Sequence, residues 1–396
     1  MNYLIKNIIC VSKKIKLIIK HNILKTPVIN FFKDNFSQNV LISYITKPFR
    51  EGIDIIHTNS AEVLEIAQVF RSLGFNVDIA DYDYEGYIDY KKYNTIFGFG
   101  DPLVNSFKFN SIQSTTRIYY GTGMHISIQN QNSTKRIEAV KNKKGIWIPE
   151  SGRIVEKAWT QQTTNVDAMI VLGNDEVKKS YQKYFEKNIY LLSPSIYKQL
   201  DYKKVLEDKH FEEAKNNYLW FGSSGLIHKG LDLVLDAFKT LPDLHLHVCG
   251  PIENEPKFKK AYYDELYNKV NIHTYGFIKI DTLLFKEILN KCAFIIFPSC
   301  SEGGGASVLN VCVNGGLIPI VTKEASIDID GFGLLINSFE LSSVKMAIED
   351  SQKLSQDELK TLSELTGKKI SEYSLGNYSK LLKTHLSSIF NTNNSE

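Results

Sequence analysis

The chain has 396 residues, of which 43% are hydrophobic and 23% are charged. This length predicts two large domains, and this composition excludes a mainly disordered, collagen-like or polytopic membrane protein. The 47 Lys and Arg residues against 44 Asp and Glu leave a net charge of +3, which is too small to indicate a nucleic-acid partner. The five cysteines form no C-x-x-C pair, and most lie in apolar runs. They predict reduced, buried thiols in a cytoplasmic protein.

Residues 1–37 form a basic N-terminal extension with helical periodicity. Apolar residues recur every three or four positions from Leu4 to Ile18, and lysines seven positions apart share another face: Lys6, Lys13 and Lys20. Lysines interrupt the apolar stretch too often for a membrane-spanning helix, and no signal-peptide cleavage site follows. Two interpretations stay open. The helix anchors the protein, through residues 1–36, peripherally on an anionic membrane surface at the inner face, or it packs on the protein's own body.

Strands and helices alternate over residues 38–198, a pattern typical of a parallel sheet covered by helices. A helix begins at Asn59, where Glu62 three residues later predicts a capping box, and Gly74 ends it. The predicted strands are Val40–Ile45, Asn76–Ala80, Thr95–Phe99, Arg117–Tyr120, Ala168–Leu172 and Ile189–Leu192.

A second α/β series occupies residues 199–370 and opens with a charged, helical junction at Asp201–Asn217. Residues 371–396 are predicted to form an amphipathic C-terminal helix and a tail. The fold class is therefore α/β, with two Rossmann-like domains facing across a central cleft that holds the ligand at the strands' carboxyl ends. The predicted strands of this series are Tyr218–Phe221, Leu244–Cys249, Asn271–Thr274, Ala293–Phe297 and Leu317–Val321.

The loop after the first strand of this series has the composition of a phosphate site. It contains two glycines and two serines and is followed by Lys229 and a helix. Small residues let backbone amides approach a ligand, the helix start adds partial positive charge, and the lysine adds a full charge. The Walker A spacing is absent, and a tight turn without a ligand is the alternative interpretation.

A second loop places Glu302 before three glycines and a helix that begins near Ser307. A carboxylate among exposed amides suits sugar hydroxyls, and Asn310 would lie about one turn into the helix. The alternative is a carboxylate that only satisfies the helix dipole. In the first series, His125 follows two glycines at a strand end, which favours a site role over the purely structural role that a lone histidine more often has.

Residues 216–337 resemble the retaining glycosyltransferases of family 4 (glycosyl transferases group 1), which have the GT-B fold. The matching runs are YLWFGSSGLIHKGLDLVLDAF, LHLHVCGP, NIHTYGFI and FIIFPSCSEGGGASVLNVCVNGGLIPIVTKEA, in the family's order and spacing. The resemblance implies a nucleotide-sugar donor, retention of the anomeric configuration, and a C-terminal helix within residues 371–396 that crosses back onto the N-terminal domain. The acceptor is expected to be a glycan or a lipid-linked glycan. No cofactor, no metal and no nucleic-acid partner are expected.

The resemblance also implies roles for individual residues. Lys229 would neutralise the diphosphate leaving group, Glu302 would contact hydroxyls of the donor sugar, and His125 would lie beside the transferred sugar. The predicted donor-binding residues are Gly222, Ser223, Ser224, Gly225, Gly276, Phe277, Gly303, Gly304, Gly305, Ser307 and Asn310, and Arg50 and Gly52 are placed on the acceptor side.

Two positions depart from the family pattern. Asn310 stands where the second glutamate of the E-x7-E motif falls, so the ribose is expected to be held without a charge. Ser223 stands where the family has an arginine, so Lys229 and loop amides, or Arg50 from the other domain, must stabilise the diphosphate. A non-catalytic nucleotide-sugar-binding partner and a nucleotide-sugar 2-epimerase on the same fold are the alternatives.

Overall fold

The computed structural model describes residues 26–109, 115–157 and 160–393 of the chain. Most of the predicted N-terminal helix, residues 1–25, lies outside this part. Val28 pairs with Ile79 in an isolated antiparallel bridge. Among the described residues, no helix combines the length and the apolar character that a bilayer crossing requires.

The described strands form two six-stranded sheets. The N-terminal sheet has the order β2-β1-β3-β4-β5-β6, with β1 Gln38–Tyr44, β2 Phe75–Asp81, β3 Thr95–Gly98, β4 Thr116–Gly121, β5 Ala168–Leu172 and β6 Ile189–Leu192. The C-terminal sheet has the order β12-β11-β10-β7-β8-β9, with β7 Asn217–Phe221, β8 His245–Cys249, β9 Ile272–Gly276, β10 Phe294–Phe297, β11 Ile318–Thr322 and β12 Leu334–Ile336. Neighbouring strands pair in parallel, which confirms the predicted α/β class.

Helices connect the strands, as parallel pairing requires. In the first half of the described chain they are α1 Pro48–Glu51, α2 Asn59–Ser72, α3 Asp101–Ser106, α4 Ile126–Lys144, α5 Thr160–Thr164 and α6 Asp175–Gln182. In the second half they are α7 Tyr202–Glu207, α8 Phe211–Ala214, α9 Leu231–Phe238, α10 Pro256–Ala261, α11 Tyr263–Tyr267, α12 Leu283–Lys291, α13 Ala306–Gly315, α14 Leu341–Gln352, α15 Gln356–Ile370 and α16 Leu375–Asn393.

The strands in the middle of the C-terminal sheet are apolar throughout because helices cover both of their faces. All four residues of β10 are buried, and so are all five residues of β11. Every residue of α9 is buried as well, including Asp232 and Asp236. The Asp232 carboxylate forms an ion pair with Arg136 of α4. The loops at the ends of these strands are therefore mounted on a densely packed core.

The chain divides into two compact units. The first unit comprises residues 1–120, 159–169 and 382–396, and the second comprises residues 121–158 and 170–381. The domain boundaries predicted at 37/38, 198/199 and 370/371, and the cleft between two domains, stay predictions. The four cysteines of the described chain are free and buried, as predicted.

One local prediction was wrong and one strand was missed. Thr58, not Asn59, is the N-cap residue of α2, and no side chain caps this helix, because the Asn59 side chain hydrogen-bonds to Tyr44 instead. The junction at Asp201–Asn217 is helical, as predicted, and it is divided into the two helices α7 and α8, between which Lys209 donates to the carbonyl of Cys292 at 2.7 Å. Strand β12 was missed because three residues carry too little alternation to predict a strand.

Candidate functional site

The candidate site lies in the second unit, at the carboxyl ends of the strands of the C-terminal sheet. The β7 loop (residues 222–230) and the β10 loop (residues 298–305) follow adjacent parallel strands, so they leave the same edge of the sheet. They are joined directly, because the backbone N–H of Cys300 donates to the carbonyl of His228 at 2.9 Å. The sheet thus brings Lys229 and Glu302 together from distant parts of the sequence.

Lys229 and Glu302 form a buried ion pair that links the two loops. Lys229 Nζ lies 2.6 Å from Glu302 Oε1, and the lysine is only 4% exposed. Ser299 Oγ donates to the same carboxylate oxygen at 3.0 Å. A third group, the guanidinium of Arg153, has Nη1 3.8 Å from Oε2 of Glu302. Each carboxylate oxygen therefore faces a cation.

These contacts set the ionisation of the pair. Burial by itself would raise the pKa of Glu302, but the charges of Lys229 and Arg153 outweigh burial and lower this pKa to about 2. Burial lowers the pKa of Lys229, and the charge of Glu302 opposes that shift. Burial also lowers the pKa of the neighbouring His228 to about 3. Glu302 is therefore ionised and His228 is neutral at neutral pH.

The β10 loop and the start of α13 present a run of backbone N–H groups without a protein partner. Within the described residues, no hydrogen bond is donated by the N–H groups of Gly303, Gly304, Gly305, Ala306 and Ser307. Gly305 is the N-cap residue of α13 and has a φ of 49°, and Gly304 has a φ of 87°. Consecutive unpaired N–H groups at a helix start favour an anionic ligand.

Gly303 and Gly304 are needed in this loop because other parts of the protein lie directly against them. A Cβ atom on Gly303 would lie 2.3 Å from the carbonyl oxygen of Thr122, and one on Gly304 would lie 2.6 Å from Cγ of Pro194. The contact with Thr122 shows that the segment before His125 packs directly on the β10 loop. Both segments belong to the second unit.

His125 is the N-cap residue of α4, and its ring nitrogens have distinct roles. Nδ1 lies 2.7 Å from Ser127 Oγ and 3.3 Å from the backbone nitrogen of Ser127, which donates to it. The ring stacks on Tyr184 with centroids 4.1 Å apart, and burial lowers the pKa of His125 to about 4. Nε2 has no hydrogen-bond partner among the residues that the structure describes, so it is the ring nitrogen left for a ligand.

The β7 loop uses its amides differently from the sequence-based expectation. Gly222 N–H donates to the carbonyl of Cys249 at 3.0 Å, and the Glu255 carboxylate accepts from Gly225 N–H at 2.6 Å and from Leu226 N–H at 3.2 Å. Two of the four amides expected to bind phosphate, those of Gly222 and Gly225, are therefore occupied by the protein. In the described chain, the N–H groups of Ser223 and Ser224 have no such partner.

The remaining residues that the sequence analysis predicted to bind the donor include Gly276, Phe277 and Asn310. Gly276 ends β9, and its carbonyl accepts from Gly250 N–H at 2.9 Å, while the neighbouring Phe277 is 49% exposed. The amide oxygen of Asn310, Oδ1, already accepts a hydrogen bond from the backbone N–H of Tyr197 at 2.7 Å. The NH₂ group of the same side chain is the part that remains as a donor to a ligand.

The predicted acceptor-side residues belong to the first unit. Arg50 donates to the carbonyl of Thr26 at 2.5 Å and to its hydroxyl at 3.0 Å, and Gly52 ends α1 with a φ of 87°. Asp81 and Asp83 form an Asp-x-Asp sequence at the end of β2, which the sequence analysis missed. In the described ranges, no group of three or more His, Cys, Asp or Glu side chains could hold a metal ion.

Comparison with protein families finds one match. Residues 203–328 match the sequence model of the family described as glycosyl transferases group 1. The matched segment runs from α7 through the β7 and β10 loops, so it contains Lys229, Glu302 and the unpaired amides. No curated protein sequence matches the chain significantly.

Solved structures match over nearly the whole chain. Sucrose-phosphate synthase from Thermosynechococcus elongatus has a TM-score of 0.62 at 12% identity and covers 90% of this chain and 100% of that chain. The α,α-trehalose 6-phosphate synthase from Burkholderia multivorans has a TM-score of 0.59 at 10% identity, and the match covers 91% of this chain and 99% of that chain. Anabaena HepE in complex with UDP-glucose has a TM-score of 0.58 at 9% identity, and the match covers 89% of this chain and 99% of that chain. The similarity confirms the predicted fold class, GT-B.

Proposed function

We propose that the protein transfers a sugar from a nucleoside diphosphate sugar to an acceptor hydroxyl, with retention of the anomeric configuration. One observation carries the proposal: the buried Lys229–Glu302 pair stands beside the consecutive unpaired amides of residues 303–307. A diphosphate requires a cation and N–H donors, and sugar hydroxyls require a carboxylate, and all three lie at one edge of the sheet. The family match of residues 203–328 supports this chemistry, and HepE is a neighbour that holds UDP-glucose.

The reaction needs no nucleophile from the protein. The acceptor oxygen attacks the anomeric carbon from the face that the diphosphate leaves, the bond between the anomeric carbon and the phosphate oxygen breaks, and the acceptor's proton passes to a phosphate oxygen. Negative charge grows on the departing diphosphate, where Lys229 and the 303–305 amides stabilise it. Removing one donor of this kind typically costs about 2.7–4 kcal/mol of transition-state stabilisation.

Glu302 and His125 act on the sugar in this proposal. The ionised Glu302 accepts hydrogen bonds from donor-sugar hydroxyls, while Lys229 and Arg153 hold its oxygens in place. His125 donates from Nε2 to a sugar oxygen and does not change charge near neutral pH, because its pKa is about 4. The histidine is therefore a neutral donor rather than a general base.

A membrane-borne acceptor, such as a lipid-linked glycan, fits the basic N-terminal segment. We infer that residues 1–36 hold the protein on the cytoplasmic face of an anionic membrane, since the sequence predicts a helix in which Lys6, Lys13 and Lys20 share a face distinct from that of the apolar residues. Sedimentation with phosphatidylglycerol vesicles tests this inference. The full chain should sediment, and a chain lacking residues 1–36 should stay in the supernatant. Equal sedimentation of both chains would contradict it.

Nucleotide binding is the first test of the proposed function. Thermal unfolding is measured with UDP, GDP, ADP and CMP, because a ligand at 100 times its Kd stabilises a protein by about 2.7 kcal/mol. One nucleoside diphosphate should raise the unfolding temperature of the wild type. The double variant Lys229→Met/Glu302→Gln should fold without responding, since both members of the buried pair lose their charge together. If no nucleotide shifts the wild type, the proposed donor site is contradicted.

Turnover then separates the three candidate functions. A transferase releases nucleoside diphosphate from the matching sugar nucleotide and forms an acceptor-linked product with the donor's anomeric configuration, which NMR coupling constants report. An epimerase would change the sugar of the donor without an acceptor, and a binding protein would leave the donor intact. A product of inverted configuration would contradict retention.

A further inference from the structure

Arg153 reaches the site from a segment far from both loops in sequence. It follows the 3₁₀ turn Pro149–Gly152 and adopts a left-handed backbone with φ 49° and ψ 44°. Two side chains of α4 hold the main chain around it. Gln129 Nε2 donates to the Arg153 carbonyl at 2.9 Å, and Asn130 Oδ1 accepts from Val155 N–H at 2.9 Å. A left-handed backbone at a non-glycine residue is costly, and it persists where surrounding contacts impose it, commonly at functional sites.

The stem of the Arg153 side chain lies on the β7 loop. A Cβ atom on Gly225 would fall 2.5 Å from both Cγ and Cδ of Arg153, so the arginine occupies the space that this glycine leaves. The same segment is tied to the loop by the backbone N–H of His228, which donates to the Ser151 carbonyl at 2.9 Å. These contacts deliver the guanidinium to the place where the β7 loop meets Glu302.

The N–H donors of the Arg153 guanidinium are available to a ligand. Its Nη1 lies 3.8 Å from Glu302 Oε2, beyond hydrogen-bond distance, and none of its N–H groups bonds to a residue in the described part of the chain. The side chain is 47% exposed. Lys229, in contrast, is buried and already donates to Glu302 at 2.6 Å. Arginine presents a planar fork of donors that matches phosphate oxygens, which a lysine cannot do.

Arg153 also sets the net charge of the cluster that it forms with Lys229, Glu302 and His228. The charges of Lys229 and Glu302 cancel, and burial keeps the imidazole of His228 neutral. Arg153 therefore leaves the cluster with one net positive charge. Besides Lys229, the β7 loop offers no charged side chain to a ligand, only the hydroxyls of Ser223 and Ser224 and their N–H groups, which have no partner in the described chain.

We propose that Arg153 binds the diphosphate of the nucleotide donor as the second cation of the site, an assignment that rests on the proposed function. Lys229 and the 303–307 amides contact the diphosphate from the sheet edge, and the guanidinium of Arg153 contacts it from the surface of the β7 loop. Arg153 thereby supplies the charge that Ser223 lacks, from a different part of the chain.

Isothermal titration with UDP, GDP and ADP and with their nucleosides tests the assignment. Arg153→Gln should lower the affinity for the nucleoside diphosphate that the wild type binds by about 10- to 100-fold, the usual range for a lost hydrogen bond to a charged group. The affinity for the nucleoside should not change. The diphosphate affinity of Arg153→Lys should lie between those of the wild type and Arg153→Gln, because lysine keeps the positive charge but lacks the planar set of N–H donors. Lys257→Gln is the matched control, since Lys257 is an exposed cation paired with Glu150.

A second removal variant separates the guanidinium from the backbone. Arg153→Gly relieves the left-handed conformation, whereas Arg153→Gln keeps it, and both remove the cation. Loss of diphosphate affinity in both variants supports the assignment even if one of them is less stable. Wild-type affinity for the diphosphate in either folded variant would overturn it while leaving the proposed function standing. A wild type that binds none of the three diphosphates would overturn the proposed function and this assignment together.

Discussion

The β7 loop and the β10 loop follow adjacent strands, are rich in glycine and precede a helix, yet they pair their backbone amides to different extents. In the β7 loop, Gly222 and Gly225 donate to the protein's own acceptors, while the N–H groups of Ser223 and Ser224 between them have no partner in the described chain. In the β10 loop, the N–H groups from Gly303 onward are unpaired among the described residues. The β7 loop is a fixed support for Lys229, and the β10 loop supplies donors to a ligand. Glycine content indicates a tight loop, and amide pairing indicates whether that loop is able to bind an anion.

The largest expected effect tests the ion pair between the loops. Lys229→Ala should destabilise the protein by about 3–5 kcal/mol, because it leaves the Glu302 carboxylate buried without its closest cation. Urea unfolding measures the change, and Lys229→Met/Glu302→Gln should recover most of the loss. If the double variant is no more stable than Lys229→Ala, the cost does not come from the uncompensated carboxylate.

The second prediction tests whether the β7 loop is a fixed support. Glu255→Ala should cost about 3 kcal/mol, because the N–H groups of Gly225 and Leu226 and the hydroxyl of Ser151 lose their shared acceptor. Glu255→Gln keeps one acceptor oxygen and should cost clearly less. Equal unfolding midpoints for Glu255→Ala and wild type would show that the loop amides do not depend on this carboxylate.

The third prediction concerns the unpaired amides. Gly304→Ala must accept a φ of 87° and places its Cβ 2.6 Å from Cγ of Pro194, so the β10 loop has to shift and the N–H groups move. The affinity for the bound nucleoside diphosphate should fall about tenfold, or about 1.4 kcal/mol. Gly331→Ala is the matched control, because Gly331 has a φ of 82° and nothing within 4 Å of an added Cβ. An equal loss of affinity in both variants would rule out a local role for this loop.

The fourth prediction compares the pH dependence of the two loops, and its effect per pH unit is the smallest. Burial lowers the pKa of His228 in the β7 loop to about 3, below its ordinary value of 6.5, so the unfolded chain takes up this proton first. Stability should therefore fall as the pH drops from 6.5 toward 3, by up to about 1.4 kcal/mol per pH unit for this group. His228→Asn should flatten the stability curve between pH 6.5 and 4.5 by about 1 kcal/mol per unit.

Glu302 in the β10 loop should respond only in stronger acid. Its pKa is lowered from the ordinary value of 4.5 to about 2, so its contribution to stability is present above pH 4.5 and is lost as the pH falls through 2. Glu302→Gln should leave the slope between pH 6.5 and 4.5 unchanged. Parallel curves for wild type and His228→Asn, measured by urea unfolding across that range, would contradict the assignment of the slope to His228.

Most of the architecture could be predicted from local patterns. The apolar runs of β5 and β6 were predicted with the bounds that the structure has, because a buried strand bounded by polar residues is visible in the sequence itself. Lys229, Glu302 and the glycines were recognised for a similar reason, since each stands at a fixed offset from a strand end. The predicted helix cap at Asn59 was wrong because this side chain hydrogen-bonds to Tyr44, which is distant in the sequence.

By itself, the sequence determined the two α/β series, the glycine-rich loops and the positions of the lysine and the carboxylate, because these depend on spacing along the chain. Only the tertiary structure decided which amides remain unpaired, that Glu255 occupies those of Gly225 and Leu226, and that Arg153 lies beside Glu302. These contacts join residues that are close in space and far apart in the chain, so no local pattern encodes them. Packing and hydrogen-bond satisfaction select them once the sheet has formed.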